Sequence, residues 1–219
     1  MILDTTSGVV ERAHGLAAAG GRRILGIAGA PGAGKSTVAE LVTGALGERA
    51  RLVPMDGFHL AQSELVRLGR RDRMGAPDTF DAAGYVALLR RLRDPGEPLV
   101  YAPEFRRPIE EPFAGAIAIP ADVPLVVTEG NYLLLWEDVR PLLDEAWFVE
   151  TDEELRLQRL IARHVEFGKT PEAAREWVMR SDQRNAAVIA PTRAYADAVV
   201  RLPAARSGTR ADPCRRASG

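Results

Sequence analysis

Residues 29–36 read Gly-Ala-Pro-Gly-Ala-Gly-Lys-Ser and satisfy the spacing G-x-x-x-x-G-K-[ST] without a gap. An apolar run over 22–28 leads into this segment. Behind it Val38, Leu41, Val42, Ala45 and Leu46 repeat at helical spacing, so the chain must pass from strand through loop to helix. Abundant glycine and alanine make a chance turn the competing reading, but the strand before and helix after the loop meet the context test for a phosphate-binding loop. Its glycines leave backbone N–H groups free to wrap a phosphate, and the helix adds the positive end of its dipole. The expected phosphate contacts are Gly29, Ala30, Pro31, Gly32, Ala33, Gly34, Lys35, Ser36 and Thr37, with Lys35 reaching the β- and γ-phosphates and Ser36 placing its hydroxyl on Mg²⁺. Only two of the 29 Lys+Arg residues are lysine. Lys35 is one of them, as expected where a slim stem and compact ammonium are needed.

The 219 residues fit one domain with a small lid or insert, and 46% hydrophobic residues are ample for one core. A net charge of −1 supplies no electrostatic footprint for nucleic acid. The single cysteine, Cys214, rules out an internal disulfide framework and a cysteine zinc site. The chain starts without a basic n-region, and no apolar run approaches the ~20 residues of a membrane span. A soluble, cytoplasmic protein with no nucleic-acid or membrane partner is the expectation.

Along the chain we expect an N-terminal helix over 9–19 ended by Gly20-Gly21, a strand over 22–28, a helix to about residue 46 and a strand over 51–55. A short helix over 60–68 and a polar loop over 70–78 follow. Asp81 is expected to cap a helix with Tyr85, Leu88, Leu89 and Leu92 on its apolar face. The proline- and charge-rich stretch 98–120 reads as strands around a substrate-facing insert. Strands at 125–129, 146–149 and 197–202 and helices at 153–166 and 171–188 complete the pattern. Alternating strands and helices predict an α/β three-layer sandwich of the P-loop NTPase class, with a mainly parallel sheet flanked by helices. The expected division is an N-terminal helix (1–21), a domain built on the phosphate-binding loop (22–203) with an arginine-bearing helical lid at about 153–180, and a disordered tail (204–219).

Ligands gather at the carboxyl ends of such strands, and three of those ends carry chemistry: residue 29 onward, Asp56 and Glu129. Asp56 is either a turn aspartate before glycine or the base that takes a proton from an attacking hydroxyl. Glu129 ends an apolar strand in a Walker-B-like arrangement and, with Ser36, is the expected Mg²⁺ partner. Arg156, Arg159 and Arg163 share one helix face at i, i+3 and i+7, either as a solvated face or as lid arginines closing over phosphate. Arg159 and Arg163 are the catalytic candidates. His59, Arg73, Tyr101 and Arg107 are candidate acceptor contacts. Trp136, Trp147 and Trp177 are expected in the core or an interface rather than as stacking platforms. The absence of an [NT]-K-x-D segment and of an L-S-G-G-Q-like signature weighs against GTPase and ABC-type readings.

Gly-Ala-Pro-Gly-Ala-Gly-Lys-Ser-Thr, Met-Asp-Gly-Phe-His-Leu (55–60), Gly-Ala-Pro-Asp-Thr-Phe-Asp (75–81) and Thr-Glu-Gly-Asn-Tyr-Leu-Leu-Leu (128–135) occur in that order. Over about residues 22–202 the chain resembles the P-loop kinase superfamily of uridine kinase, phosphoribulokinase and type I pantothenate kinase, and is most similar to its bacterial nucleoside/nucleotide kinase or fructose-transport-system kinase branch. The resemblance implies that Asp56 is the general base, that Glu129 lies near the metal, and that the arginines of 156–163 belong to the lid. Residues 185–197 resemble the segment of pantothenate kinases where nucleotide and acceptor are contacted. Arg106 stands where relatives often carry aspartate, so acceptor identity does not transfer. The expectation is an ATP- and Mg²⁺-dependent kinase acting on a small-molecule hydroxyl, nucleoside-like first by analogy, with sugar and pantothenate-like acceptors open and a homodimer possible. The rival is a P-loop ATPase or nucleotide-dependent switch without an acceptor.

Overall fold

Strands that read as near-continuous apolar runs need cover on both faces, and the chain supplies helices for each. A computed structural model describes residues 1–203. The segment 204–219, expected to be disordered, and Cys214 within it lie outside the described residues.

In chain order the elements are β1 (Ile2–Leu3), α1 (Thr6–Ala18), β2 (Arg23–Gly29), α2 (Lys35–Leu46), β3 (Ala50–Pro54), α3 (Gln62–Arg67) and α4 (Ala82–Arg93). There follow β4 (Leu99–Arg106), β5 (Glu111–Pro120), β6 (Leu125–Gly130), β7 (Glu145–Val149), α5 (Glu153–Glu166), α6 (Pro171–Trp177), α7 (Gln183–Ile189) and β8 (Ala198–Val200). Six strands form one sheet in the order β1-β8-β7-β2-β6-β3, every pair parallel. Residues of alternate parity sort to opposite faces. Ile24, Ala28, Val126 and Phe148 pack with Tyr85, Leu88, Leu89 and Leu92 of α4 on one side. Leu25, Ile27, Val127 and Trp147 pack with Val9 and Ala13 of α1 and Val38 and Val42 of α2 on the other. This is the expected three-layer sandwich.

Local signals account for most boundaries. Asp81 caps α4 by accepting from the Gly84 N–H at 2.8 Å. Thr5 caps α1 by accepting from the Gly8 N–H at 3.1 Å, so that helix begins earlier than the periodicity suggests. Two features escaped the sequence. β1 is only two residues long, too short to show a period, and is defined by its pairing of Ile2 with Val199 and Leu3 with Val200. The helix expected over 171–188 is interrupted by a π-helical turn at Val178–Asp182. No described helix is long and apolar enough to cross a membrane.

β4 and β5 form a separate antiparallel hairpin, with a register shift between Ala102 and Glu104. It docks on the turn after β3 so closely that a Cβ at Gly57 would sit 2.4 Å from the Pro103 carbonyl oxygen. The stretch read as a substrate-facing insert thus leans over the carboxyl end of the sheet.

Candidate active site

Register brings the three reactive strand ends together. Ile27 of β2 lies opposite Glu129 of β6, and Pro54 of β3 lies opposite Glu129 from the other side. The loop leaves β2 at Gly29 and enters α2 through Gly34, whose φ of 98° is left-handed backbone that a side chain would strain. Lys35 is buried; its Nζ donates to the Ala30 carbonyl at 3.1 Å and to Asn131 Oδ1 at 2.7 Å. The Ser36 hydroxyl donates to Glu129 Oε1 at 3.0 Å. Burial lowers the Lys35 pKa, against the opposing pull of Glu129 and Asp56. Burial likewise raises the Glu129 pKa, against Lys35. In both groups desolvation outweighs the opposite charge nearby, so a ligand that is anionic toward Lys35 and cationic toward Glu129 would favour their charged forms. The adjacent hydroxyl and carboxylate form the hard-oxygen pair that Mg²⁺ takes beside phosphate, so the residues fit that ion.

Asp56 follows β3 in a tight turn. Its Oδ2 accepts from Arg107 Nη2 at 3.0 Å, and the arginine comes from the hairpin tip just beyond β4. His59 Nδ1 lies 2.8 Å from the Asp56 carbonyl oxygen. A carbonyl can only accept, so Nδ1 carries the proton. The imidazole packs between Phe80 and Phe105, with ring centroids at 3.9 and 4.5 Å, and burial pushes its pKa down. Beneath them, the buried hydroxyls of Tyr85 and Thr128 meet at 2.6 Å, and Thr128 donates to the Val53 carbonyl at 2.6 Å. These hydroxyls tie α4, β6 and β3 together just below Asp56 and Glu129.

The three arginines of α5 separate. Arg156 is buried and committed: it donates to the Pro31 carbonyl at 3.0 Å and also bonds Glu153 and Gln183. The reading of all three as one lid face fails for Arg156 because α5 packs that side against the phosphate loop. Arg159 is exposed and lines a cavity of about 190 Å³ with Gly32, Gly34, Lys35, Ser36 and Thr37. Arg163 lines that cavity and also a larger one of about 630 Å³. Burial lowers its pKa, and the nearby positive charge of Arg107 adds to the effect.

The larger cavity gathers Pro31, Lys35, Ser36, Asp56, His59, Arg107, Glu129 and Arg163 of the sequence candidates. Two of the acceptor candidates stand outside its lining. Tyr101 is 52% exposed, because Val100 and Ala102 take the inward positions of β4. Arg73 is turned to Asp78 at 2.6 Å. The segment 191–193 also serves structure, since Arg193 bonds Glu150 and Thr192 donates to the Ile189 carbonyl at 2.7 Å.

Other residues reach the cavity that sequence patterns did not single out. Asn131 follows Glu129 in the Glu-Gly-Asn-Tyr segment, the one local signal available. His164, Lys169 and Asp182 come from α5 and the segment that follows it, whereas Asn185, which also lines the cavity, opens the 185–197 segment that the resemblance had marked. Trp147 is in the core and Trp136 packs against it, as expected, but Trp177 lines the cavity. Arg106 lies over the Phe113 ring at 4.1 Å rather than in the lining.

Residues 100–206 match the phosphoribulokinase/uridine kinase family. An ATP-dependent kinase-like protein of Aspergillus versicolor is 36% identical over 145 residues, covering 60% of this chain and 84% of the relative. A candidate uridine kinase of Schizosaccharomyces pombe is 33% identical over 179 residues, covering 75% and 76%. Among solved structures, a candidate fructose transport system kinase from Silicibacter sp. TM1040 superposes with a TM-score of 0.79 at 32% identity, covering 87% of this chain and 98% of that one.

Proposed function

The chain belongs to the phosphoribulokinase/uridine kinase family and is an ATP-dependent small-molecule kinase; from that premise we propose that it transfers the γ-phosphoryl group of ATP to an acceptor hydroxyl presented by Asp56. The observation that carries this reading is the junction of the two cavities. Lys35, Ser36 and Arg163 line both, so a phosphate held by the loop meets the chamber that contains Asp56. The smaller cavity takes the nucleotide phosphates, and the larger takes the acceptor.

The loop N–H groups and Lys35 hold the β- and γ-phosphates. Ser36 and Glu129 would hold Mg²⁺, which when bound offsets phosphate charge. Asp56 accepts the hydroxyl proton; Arg107 occupies its Oδ2, leaving Oδ1 for the acceptor. Arg163 stabilises charge on the transferring group from the junction. Residues 153–180 act as the lid of a single kinase domain spanning 22–203. Nucleoside-like acceptors stand first by analogy with relatives named as uridine kinases, followed by sugars and pantothenate-like alcohols.

A phosphorylation screen over these three classes, detecting product rather than ATP loss, tests the reading. The expected result is a phosphorylated acceptor whose formation collapses in Asp56→Asn. ATP hydrolysis that ignores every acceptor would replace the reading with an ATPase or switch.

A further inference from the structure

Both lysines of this arginine-rich chain, Lys35 and Lys169, line the same cavity. Lys35 belongs to the phosphate loop. Lys169 has no such assignment, and its placement is specific. α5 ends in a left-handed Gly168 (φ 95°), with the Gly168 N–H bonded to the Val165 carbonyl and the Lys169 N–H bonded to the His164 carbonyl, each at 3.0 Å. Thr170 then caps α6, accepting from the Ala173 N–H at 3.2 Å. This reversal lays Lys169 against Trp177, the last residue of α6, with Nζ 4.7 Å from the ring centroid.

The ammonium has no carboxylate within ion-pair distance among the described residues. Asp182, on the same wall, is taken by His164, whose Nε2 lies 2.9 Å from its Oδ2. A half-buried cation that faces a ligand chamber with only an aromatic ring for support lacks an anion. The ATP phosphates are not the natural partner, because the smaller cavity beside the loop is lined by Arg159 and Arg163 and not by Lys169. Lysine is also well suited to this position, since three donors on a compact head adapt to carboxylate or phosphate oxygens without the fixed fork of arginine.

We propose that Lys169 is the recognition group for an anionic substituent on the acceptor, so that the substrate is a hydroxy compound carrying a carboxylate or a phosphate. The proposal rests on the kinase reading of the same cavity and reorders its acceptors. Nucleoside phosphates, sugar phosphates and hydroxy acids move ahead of neutral nucleosides and sugars.

The test offers each alcohol as a matched set: neutral, carboxylate-bearing and phosphate-bearing. The charged member should have the lower KM, and comparison of the two charged arms identifies which anion is used. Lys169→Met should raise the KM for that member by about 10-fold or more, the value of one charge-assisted hydrogen bond, with kcat and the KM for ATP held within about threefold. Lys169→Arg should recover part of the loss. Preference for the neutral member, or a Lys169→Met effect on ATP instead, overturns the proposal while leaving the kinase reading standing. If no acceptor is phosphorylated, the kinase reading fails, and a binding measurement still decides the anion site. With the phosphate loop filled by a non-hydrolysable ATP analogue, inorganic phosphate and acetate are titrated against tryptophan fluorescence. A saturable change lost in both Trp177→Phe and Lys169→Met supports the site. No change in the wild type, or an unaltered change in Lys169→Met, overturns it.

Discussion

The two walls of the cavity are built in opposite ways. The phosphate wall is one contiguous stretch, residues 29–37, whose working groups are main-chain N–H donors, one lysine and one hydroxyl. The wall proposed for the acceptor is assembled from side chains of distant segments: Asp56 after β3, Arg107 at the hairpin tip, Glu129 near the end of β6, Asn131 just after it, and Lys169, Trp177 and Asp182 from the segments that follow α5. A contiguous backbone cradle is rigid and serves any triphosphate. A wall of side chains on separate elements can change one group at a time, and the proposed reading places acceptor choice there.

The sharpest way to break this division is Asp56→Asn. It should lower kcat by about 10²–10⁴-fold while ATP affinity, measured by titration calorimetry, stays within a factor of about three. Equal loss of ATP binding would mean that the two walls are not separable. Next comes the junction. Arg163→Met should cost about 10²–10³-fold in kcat. Arg159→Met, on the exposed side of the smaller cavity, should cost less than about tenfold. The reverse order in single-turnover rates would move the transferring phosphate away from the acceptor chamber.

Smaller effects test how each wall is held. Gly57→Ala drives a Cβ into the Pro103 carbonyl, so the hairpin must shift; about 1–3 kcal/mol of stability should be lost in urea denaturation. The acceptor KM should rise more than the KM for ATP. Arg156→Met removes the donors that α5 gives to the Pro31 carbonyl and to Gln183, and should cost about 1–3 kcal/mol with little change in kcat. Should Arg156→Met instead match Arg163→Met in rate, its assignment as a packing residue is wrong.

The smallest effect is in pH. Burial holds the His59 pKa below its ordinary 6.5, against the opposing influence of Asp56 and Glu110 and with that of Arg107. Between the lowered pKa and about 6.5 the unfolded chain binds more protons than the folded one. Stability therefore rises with pH through that window and is lost as pH falls below about 6.5, by at most about 1.4 kcal/mol per unit. His59→Gln should flatten this slope in thermal melts; an unchanged slope would place the titration elsewhere.

How legible each wall was in the sequence follows from the same contrast. Loop, flanking strand and helix were readable because their determinants are local: spacing, apolar period and glycine at the turn. The helix cap at Asp81 and the core face of α4 were readable for the same reason. The arginine face of α5 was only half readable. Positions 156, 159 and 163 share a helical face, but spacing cannot say that the phosphate loop packs on the Arg156 end of it. Tyr101 misled because alternation along β4 sends Val100 and Ala102 inward and leaves it exposed. Trp177 and Lys169 gave no signal, since their meeting depends on the reversal at Gly168 and the packing of α6.

The amino-acid sequence by itself determined a phosphate-binding strand–loop–helix, a parallel α/β sheet to carry it, and carboxylates waiting at the neighbouring strand ends. These rest on interactions between residues near in the chain, or on periods that any core would enforce. Tertiary structure alone decided which arginine stands at the junction of the two cavities, that Arg107 grips Asp56, and that the second lysine lines the larger cavity. Those contacts join residues far apart in sequence, and a side chain's partner across such a distance is chosen by packing, which no local pattern encodes.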